Sequence, residues 1–358
     1  MKMTNWQHES INIGGRLVGA DHPPFIIAEL SGNHSQSLAT AREMVKAAAQ
    51  SGAHAIKLQT YTADSMTLDV TSEGFVIEEE DSLWHGENLY SLYQKAATPY
   101  AWHKELFDYA NSLGMLAFSS PFDEEAVDFL EGLNVPCFKI ASFELTDIPL
   151  VRKAASTGKP LIMSTGMASL SDIELAVSTA KRAGCDDIVL LKCTSTYPAE
   201  PANTNLTTIA HMSDAFQCPV GLSDHTAGVG AAVAAVAFGA PVIEKHFVLD
   251  RNAGGVDAAF SLEPHELETL VIETHRAWQA LGQVTYGGSQ AEEKAKQYRR
   301  SIYVSEDILP GDKLGAHNLK IVRPAFGLAP KHWDTIQGKC ATKALAKGTA
   351  LAWEHIAV

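Results

Sequence analysis

The chain has 358 residues, 46% hydrophobic and 20% charged, the composition of a soluble globular protein with room for one large domain and a smaller one. A net charge of −14 with no basic run argues against nucleic acid or an anionic membrane surface as partner. No apolar run reaches the twenty or so residues of a bilayer span, and the opening MKMTNWQHES lacks the apolar core of a secretory signal, so a cytoplasmic location is expected.

From residue 25 to about 246, short β-branched runs alternate with Ala-rich amphipathic stretches. The predicted strands are FIIAEL (25–30), AIKLQT (55–60), MLAFSS (115–120), PCFKIA (136–141), PLIMST (160–165), DIVLLK (187–192), PVGLS (219–223) and PVIEKH (241–246). The segments between them include LATAREMVKAAAQSG and LSDIELAVSTAKRAG, each ending in a glycine suited to a left-handed helix cap. Helix-long connections imply parallel crossovers, and eight such units predict a (β/α)8 TIM barrel over residues 1–282, with an open parallel sheet as the alternative.

One connection is longer than a crossover needs. Residues 61 to about 95 read as an insertion at the carboxyl end of the second strand. Its Trp84, His85, Glu87, Tyr90 and Tyr93 suit either a sugar pocket or a surface loop with a small local core. After the eighth strand comes a helix over 263–282, then the glycine- and charge-rich passage 283–297, which reads as a linker. Residues 298–358, dense in short strands and turns, read as a small β-rich domain that is marginal alone and packs on something else. Cysteines 137, 185, 193, 218 and 340 show no CxxC spacing and are expected to be buried thiols.

In a TIM barrel the strands' carboxyl ends meet at the active face. Glu29 ends the first strand, Lys57 and Gln59 share one face of the second, and FSSPFD, Lys139 with Ser142, STGM, KCTSTYP, SDHT and EKHF follow on the others. This collection predicts an enzyme. Lysines within apolar strands need anionic partners. Lys57 and Lys139 therefore either grip a substrate carboxylate or phosphate beside the hydroxyls of Ser120, Ser142, Ser164 and Ser223, or pair structurally with Glu29 or Glu244. A Schiff-base lysine is the rival chemistry.

His225 and His246 end adjacent predicted strands, and Glu244 shares a face with His246. Two imidazoles with carboxylates suit Mn²⁺ or a similar divalent ion (Mg²⁺, Co²⁺) acting as a Lewis acid, or they are two hydrogen-bonded core histidines. Gly228-Val229-Gly230 begins like a dinucleotide fingerprint but lacks the third glycine and the later acidic residue, so NAD is not expected.

In order along the chain, FIIAELSGNH, IKLQTY, FSSPFD, FKIAS, STGM, CTSTYP, GLSDHT, EKHF and GGVDAAFSL resemble the sialic-acid synthase family, which condenses phosphoenolpyruvate with N-acetylated hexoses. SIYVSEDILPGDKL and RPAFGLAP resemble that family's antifreeze-like (SAF) domain. WHGENLYSLYQKAATPYAWHKELF and GGVDAAFSL are most similar to the pseudaminic acid synthases of the family, whose sugar is 2,4-diacetamido-2,4,6-trideoxy-L-altrose and whose product enters bacterial surface glycans or flagellin glycosylation.

The resemblance implies that Lys57, Ser120, Lys139, Ser142, Ser164, Ser195 and Ser223 bind phosphoenolpyruvate and that His225 and His246 hold the metal. It also implies that Glu29, Glu244, Tyr197 and Asp257 lie near the sugar, with Glu29 or Glu244 as general base. Ser120 stands where neuraminate synthases have Thr, and Ser195 where they often have Asn. Arg323 matches an arginine that reaches into a partner's active site, implying a domain-swapped homodimer. The alternatives are an N-acetylneuraminate or legionaminic acid synthase, a Schiff-base aldolase or lyase, and a non-catalytic sugar-binding protein.

Overall fold

The computed structural model describes residues 10–80 and 82–357. A hairpin opens the described chain, β1 (Ile11–Ile13) pairing antiparallel with β2 (Arg16–Val18). Its turn needs glycine at Gly14, where φ is +57° and a Cβ would lie 2.8 Å from the Leu116 side chain. No signal in the sequence distinguished this hairpin from a disordered leader.

Eight strands follow: β3 (Phe25–Glu29), β4 (Ala55–Thr60), β5 (Leu116–Pro121), β6 (Phe138–Ile140), β7 (Leu161–Ser164), β8 (Ile188–Cys193), β9 (Val220–Asp224) and β10 (Val242–His246). Each pairs in parallel with the next, and β10 also pairs with β3, from Val242 opposite Phe25 to His246 opposite Glu29. That last ladder closes the sheet into a TIM barrel and excludes the open alternative.

The crossovers are α1 (Leu38–Gln50), the pair α2 (Ala63–Met66) and α3 (Leu89–Ala96) ahead of α4 (Tyr100–Ser112), then α5 (Glu124–Gly132), α6 (Ile148–Ala155), α7 (Leu170–Arg182), α8 (Thr207–Phe216) and α9 (Gly230–Ala237), with α10 (Pro264–Leu281) after β10. Local chemistry sets their ends. Ser37 caps α1 by accepting from the Thr40 amide, and Ser169 with Asp172 forms a capping box on α7. Beyond α1 and α7 the chain turns at Gly52 and Gly184, with φ of +83° and +99°, as the sequence led us to expect. Phe25, Phe118 and Phe138 are fully buried in the core, each contributing about 1.5–3 kcal/mol by removal from water.

The described chain divides into two compact units, Met1–Gly282 and Gln283–Val358. The second takes in the passage 283–297, where Val284 and Tyr286 are exposed. Its two strands, β11 (Ser301–Val304) and β12 (Leu319–Val322), pair antiparallel, and α11 (Trp333–Ile336) adds one helical turn. Isolated bridges such as Ile308 with Leu345 complete the backbone pairing around a small core of Ile302, Val304, Leu319, Ile336 and Leu351. Strand content is thus lower than the sequence suggested. Left-handed glycines at 311, 338 and 348 turn the chain before ladders can lengthen.

Four of the five cysteines are buried, but Cys340, in the second unit, is only partly so, correcting the expectation of five buried thiols. Among the described residues no helix is long and apolar enough to cross a membrane.

Candidate active site

Strand register alone assembles the centre of the site. Ser223 on β9 stands opposite Glu244 on β10, His246 opposite Glu29 on β3, and Glu29 opposite Lys57 on β4. Partners in a parallel register share a face, so these groups converge at the carboxyl end of the barrel.

Four buried charges meet there. Lys57 Nζ pairs with Glu29 and lies 3.8 Å from Glu244 Oε2, while Lys139 Nζ lies 3.7 Å from Glu244 Oε1. Lys57 also donates to Ser120 Oγ (3.2 Å), and Ser223 Oγ donates to Glu244 Oε1 (3.1 Å). The two carboxyl groups are pushed apart. Burial, the largest influence on Glu29, outweighs Lys57 and raises its pKa. Burial acts the same way on Glu244, yet Lys139, Lys57 and the Ser223 hydrogen bond together bring it below the ordinary range. Carboxyl groups whose pKa values are pushed in opposite directions are the arrangement used for acid–base work.

The histidines sit together as their strand positions require. Their ring centroids are 5.2 Å apart, and Phe260 packs 4.9 Å from His246. At the other end of the same β9–β10 ladder Gly221 is required, because a Cβ there would run into the Val242 carbonyl of the neighbouring strand. His225 Nδ1 donates to the Thr194 carbonyl (3.0 Å), a contact that fixes the ring orientation and leaves Nε2 as the nitrogen available to a ligand. His246 Nδ1 is buried without a hydrogen-bond partner, 3.7 Å from Asp257 Oδ2. Burial, reinforced by His225 and the nearby lysines, holds His246 well below its usual pKa and therefore neutral. Burial works against the charge on His225, but Cys193, the Thr194 carbonyl and Glu244 together raise its pKa, so a bound cation would displace a proton there. With that proton gone, two imidazoles beside a carboxylate fit a borderline divalent cation. A different trio, Glu263, His265 and Glu266, brings three possible ligand atoms within 4.8 Å of one another at the start of α10, but Arg251 already pairs with both carboxylates.

Around this centre, Tyr197 lies 4.7 Å from His225 and 6.1 Å from Trp84, ring to ring. Ser31 donates to Asp257, whose pKa burial raises. Ser142 Oγ accepts from the Gly166 amide (3.1 Å), Ser164 Oγ is buried without a partner, and Ser195 Oγ lies 3.6 Å from Cys193 Sγ. Arg323 belongs to the second unit, just after β12.

The insertion splits into two parts. Trp84 faces the site, its Nε1 donating to the Val256 carbonyl (3.0 Å), and Tyr93 packs edge-on against Tyr61. His85, Glu87 and Tyr90 bond instead to Glu79, Lys95 and Asp64 on the surface. Three of the five residues singled out in the insertion therefore belong to the surface-loop reading.

Two residues escaped the sequence reading. Glu144 carries a buried, unpartnered Oε2, and burial pushes its pKa up to about 7. Cys193 Sγ lies 3.9 Å from His225 Nδ1, and although burial pushes its pKa up, the hydrogen bond to His225 and that residue's charge bring it down to about 7. Their signal was weak: Glu144 stands two residues past Ser142, and Cys193 begins CTSTYP.

Buried polar side-chain atoms without partners are uncommon in native folds. Among the described residues the atoms without a hydrogen bond are Glu144 Oε2, Ser164 Oγ, Thr226 Oγ1, His246 Nδ1, and Glu29 Oε2 and Glu244 Oε2, whose only facing group is the Lys57 ammonium. Glu29, Ser164 and His246 end their strands, Glu244 lies two residues before the end of β10, and Thr226 and Glu144 follow β9 and β6, so all six fall in the carboxyl half of the barrel.

Residues 44–286 match the NeuB family, and residues 299–357 match the SAF domain. The chain is 42% identical to the pseudaminic acid synthase of Helicobacter pylori, over 93% of this chain and 98% of that protein. It is 44% identical to the pseudaminic acid synthase of Campylobacter jejuni, over 92% and 96% respectively. Among solved structures, N-acetylneuraminic acid synthetase of Leptospira borgpetersenii superposes with a TM-score of 0.72 at 33% identity, covering 82% of this chain and 96% of that one.

Proposed function

The chain belongs to the NeuB family, and on that premise we propose that it condenses phosphoenolpyruvate and water with open-chain 2,4-diacetamido-2,4,6-trideoxy-L-altrose, forming pseudaminic acid and releasing phosphate. The observation that carries this reading is the carboxyl half of the barrel, where the buried groups without hydrogen bonds collect between two lysines and two neutral-capable histidines.

The reaction joins C3 of phosphoenolpyruvate to the aldehyde carbon, adds water at C2 and expels phosphate. Lys57 and Lys139, with the hydroxyls of Ser120, Ser142, Ser164, Ser195 and Ser223, take up the phosphoenolpyruvate charge and hold C3 in line for attack. Glu244 balances both lysines until the anionic substrate arrives. Glu29, its pKa raised by burial while it still pairs with Lys57, is the general base that takes a proton from the water adding at C2. Tyr197 and Asp257 bound the sugar, and Asp257 hands a proton to the former aldehyde oxygen. His225 and His246 would hold the divalent cation, for which Mn²⁺ is the first choice, and when bound it supplies Lewis acidity to the aldehyde.

A phosphate-release assay tests the reading. With phosphoenolpyruvate, the chain is expected to release phosphate with the altrose-derived sugar and a divalent metal. N-acetylmannosamine and the legionaminic acid precursor are expected to serve far less well. A higher kcat/KM on either rival sugar would overturn the substrate assignment. Activity that survives EDTA, with a lysine adduct trapped by borohydride, would replace the mechanism with Schiff-base chemistry.

We also read Arg323 as a residue supplied to a partner subunit's sugar site, which makes the working form a domain-swapped homodimer. Arg323→Ala is expected to raise the sugar KM at least about tenfold, as for loss of a charge-assisted contact of some 1.5 kcal/mol or more. An unaltered sugar KM in that variant counts against the swap.

A further inference from the structure

Of the three buried lysines among the described residues, Lys57 and Lys139 face the site, and the mechanism leaves Lys245 without a task. It pairs with Asp224 at 2.8 Å, and neither side chain has any solvent exposure. A buried ion pair is no better for stability than well-packed apolar residues, so its retention asks for another reason. The two residues stand directly opposite each other on β9 and β10. Each immediately precedes one of the histidines, so by strand alternation the pair lies on the helix side of the sheet, directly behind them.

We propose that the Asp224–Lys245 pair is a positioning clamp for the metal site, fixing where His225 and His246 present their imidazoles. The hydrogen bonds are distributed for that purpose. An ammonium has three protons to donate. Lys245 Nζ gives them to Asp224 Oδ2 (2.8 Å), the Thr226 carbonyl (2.7 Å) and the Gly228 carbonyl (2.8 Å). Asp224 Oδ1 accepts from the Thr226 amide (3.0 Å). His225 is thereby held on both sides, at the residue before it and the residue after it, by a group rooted on the other histidine's strand.

The remaining backbone contacts complete the hold. The His225 carbonyl accepts from the Ala199 amide (3.0 Å), and the His246 carbonyl accepts from the Leu262 amide (2.8 Å). An apolar pair in place of Asp224 and Lys245 would pack but would leave the Thr226–Gly228 turn unattached to β10. Ligand sets tolerate misplacement of only about 0.5 Å, and outer-shell changes typically weaken metal binding by about 10- to 100-fold.

The inference rests on the reading of His225 and His246 as metal ligands, and the test separates the two. Mn²⁺ alone is titrated into the full-length chain and its variants by electron paramagnetic resonance. Asp224→Asn, nearly isosteric, and the charge-neutral double variant Asp224→Asn/Lys245→Met are each expected to raise the Mn²⁺ Kd by about 10- to 100-fold. Phosphoenolpyruvate affinity measured without metal should stay within about threefold, since none of the clamp's hydrogen bonds involves a proposed contact, and the neighbouring Ser223 faces the other side of β9 and bonds to Glu244. Leu270→Ala, in the core of the same unit, serves as control. It should lower Tm while leaving the Mn²⁺ Kd within about twofold.

A folded Asp224→Asn chain with parental Mn²⁺ affinity overturns the clamp alone. So does Leu270→Ala weakening Mn²⁺ binding as much as Asp224→Asn does. A parent chain that takes up no Mn²⁺ overturns the metal reading and the clamp with it.

Discussion

Replacing His225 with alanine is expected to lower kcat by at least about a thousandfold, the scale of several kcal/mol of lost Lewis-acid stabilisation. The ring is buried, and the Nδ1 contact with Thr194 turns Nε2 toward the site. No neighbouring side chain substitutes for that nitrogen: Cys193 lies on the Nδ1 side, and His246 is already the second proposed ligand. The same variant should lose high-affinity Mn²⁺ binding, read by titration, while keeping most of the parental Tm. The retained Tm separates a chemical loss from collapse of the rim. Full turnover in a folded His225→Ala chain would remove the metal assignment altogether.

Replacing Lys139 with methionine is expected to raise the KM for phosphoenolpyruvate by about 30- to 5,000-fold, equivalent to the ~2–5 kcal/mol lost when one partner of a buried charge pair is removed. The substitution also exposes the two readings of this lysine to a direct comparison. Lys139 lies 3.7 Å from Glu244, so a purely structural ion pair competes with the substrate-gripping role. Adding Glu244→Gln neutralises the carboxyl left behind by Lys139→Met and should restore part of the lost stability. It should not restore the KM, because the ammonium facing the substrate is still missing. If the double variant regains both, the pair is structural and phosphoenolpyruvate is held elsewhere.

Much of this site was legible before any fold was known, and the reason lies in strand geometry. A strand's side chains alternate with a period of two, so a polar residue at the end of a buried apolar run is placed on a known face. His225, His246, Lys57 and Lys139 could be set on one rim from that rule and the order of the strands. The family motifs then assigned them roles, and the structure brings them together.

Other features depend on distances that no period encodes. Closure of the barrel required the β10–β3 ladder, which joins residues more than two hundred positions apart. The division of labour between Glu29 and Glu244 required knowing which carboxyl faces two lysines and which faces one, since both are equally buried and chemically alike. Trp84 parted from His85, Glu87 and Tyr90 only because its indole found the Val256 carbonyl, 172 positions away.

By itself, then, the sequence determined the eight strand–helix units, the polar composition of their carboxyl ends and the adjacency of the two histidines, all consequences of local periodicity and chain order. Tertiary structure alone decided which charges pair, which carboxyl's pKa is raised and which lowered, and that Asp224 and Lys245 lock together behind the histidines. Those properties are set by burial and by partners brought within a few ångströms across the barrel, and Coulomb and desolvation energies respond to that spacing rather than to position in the chain.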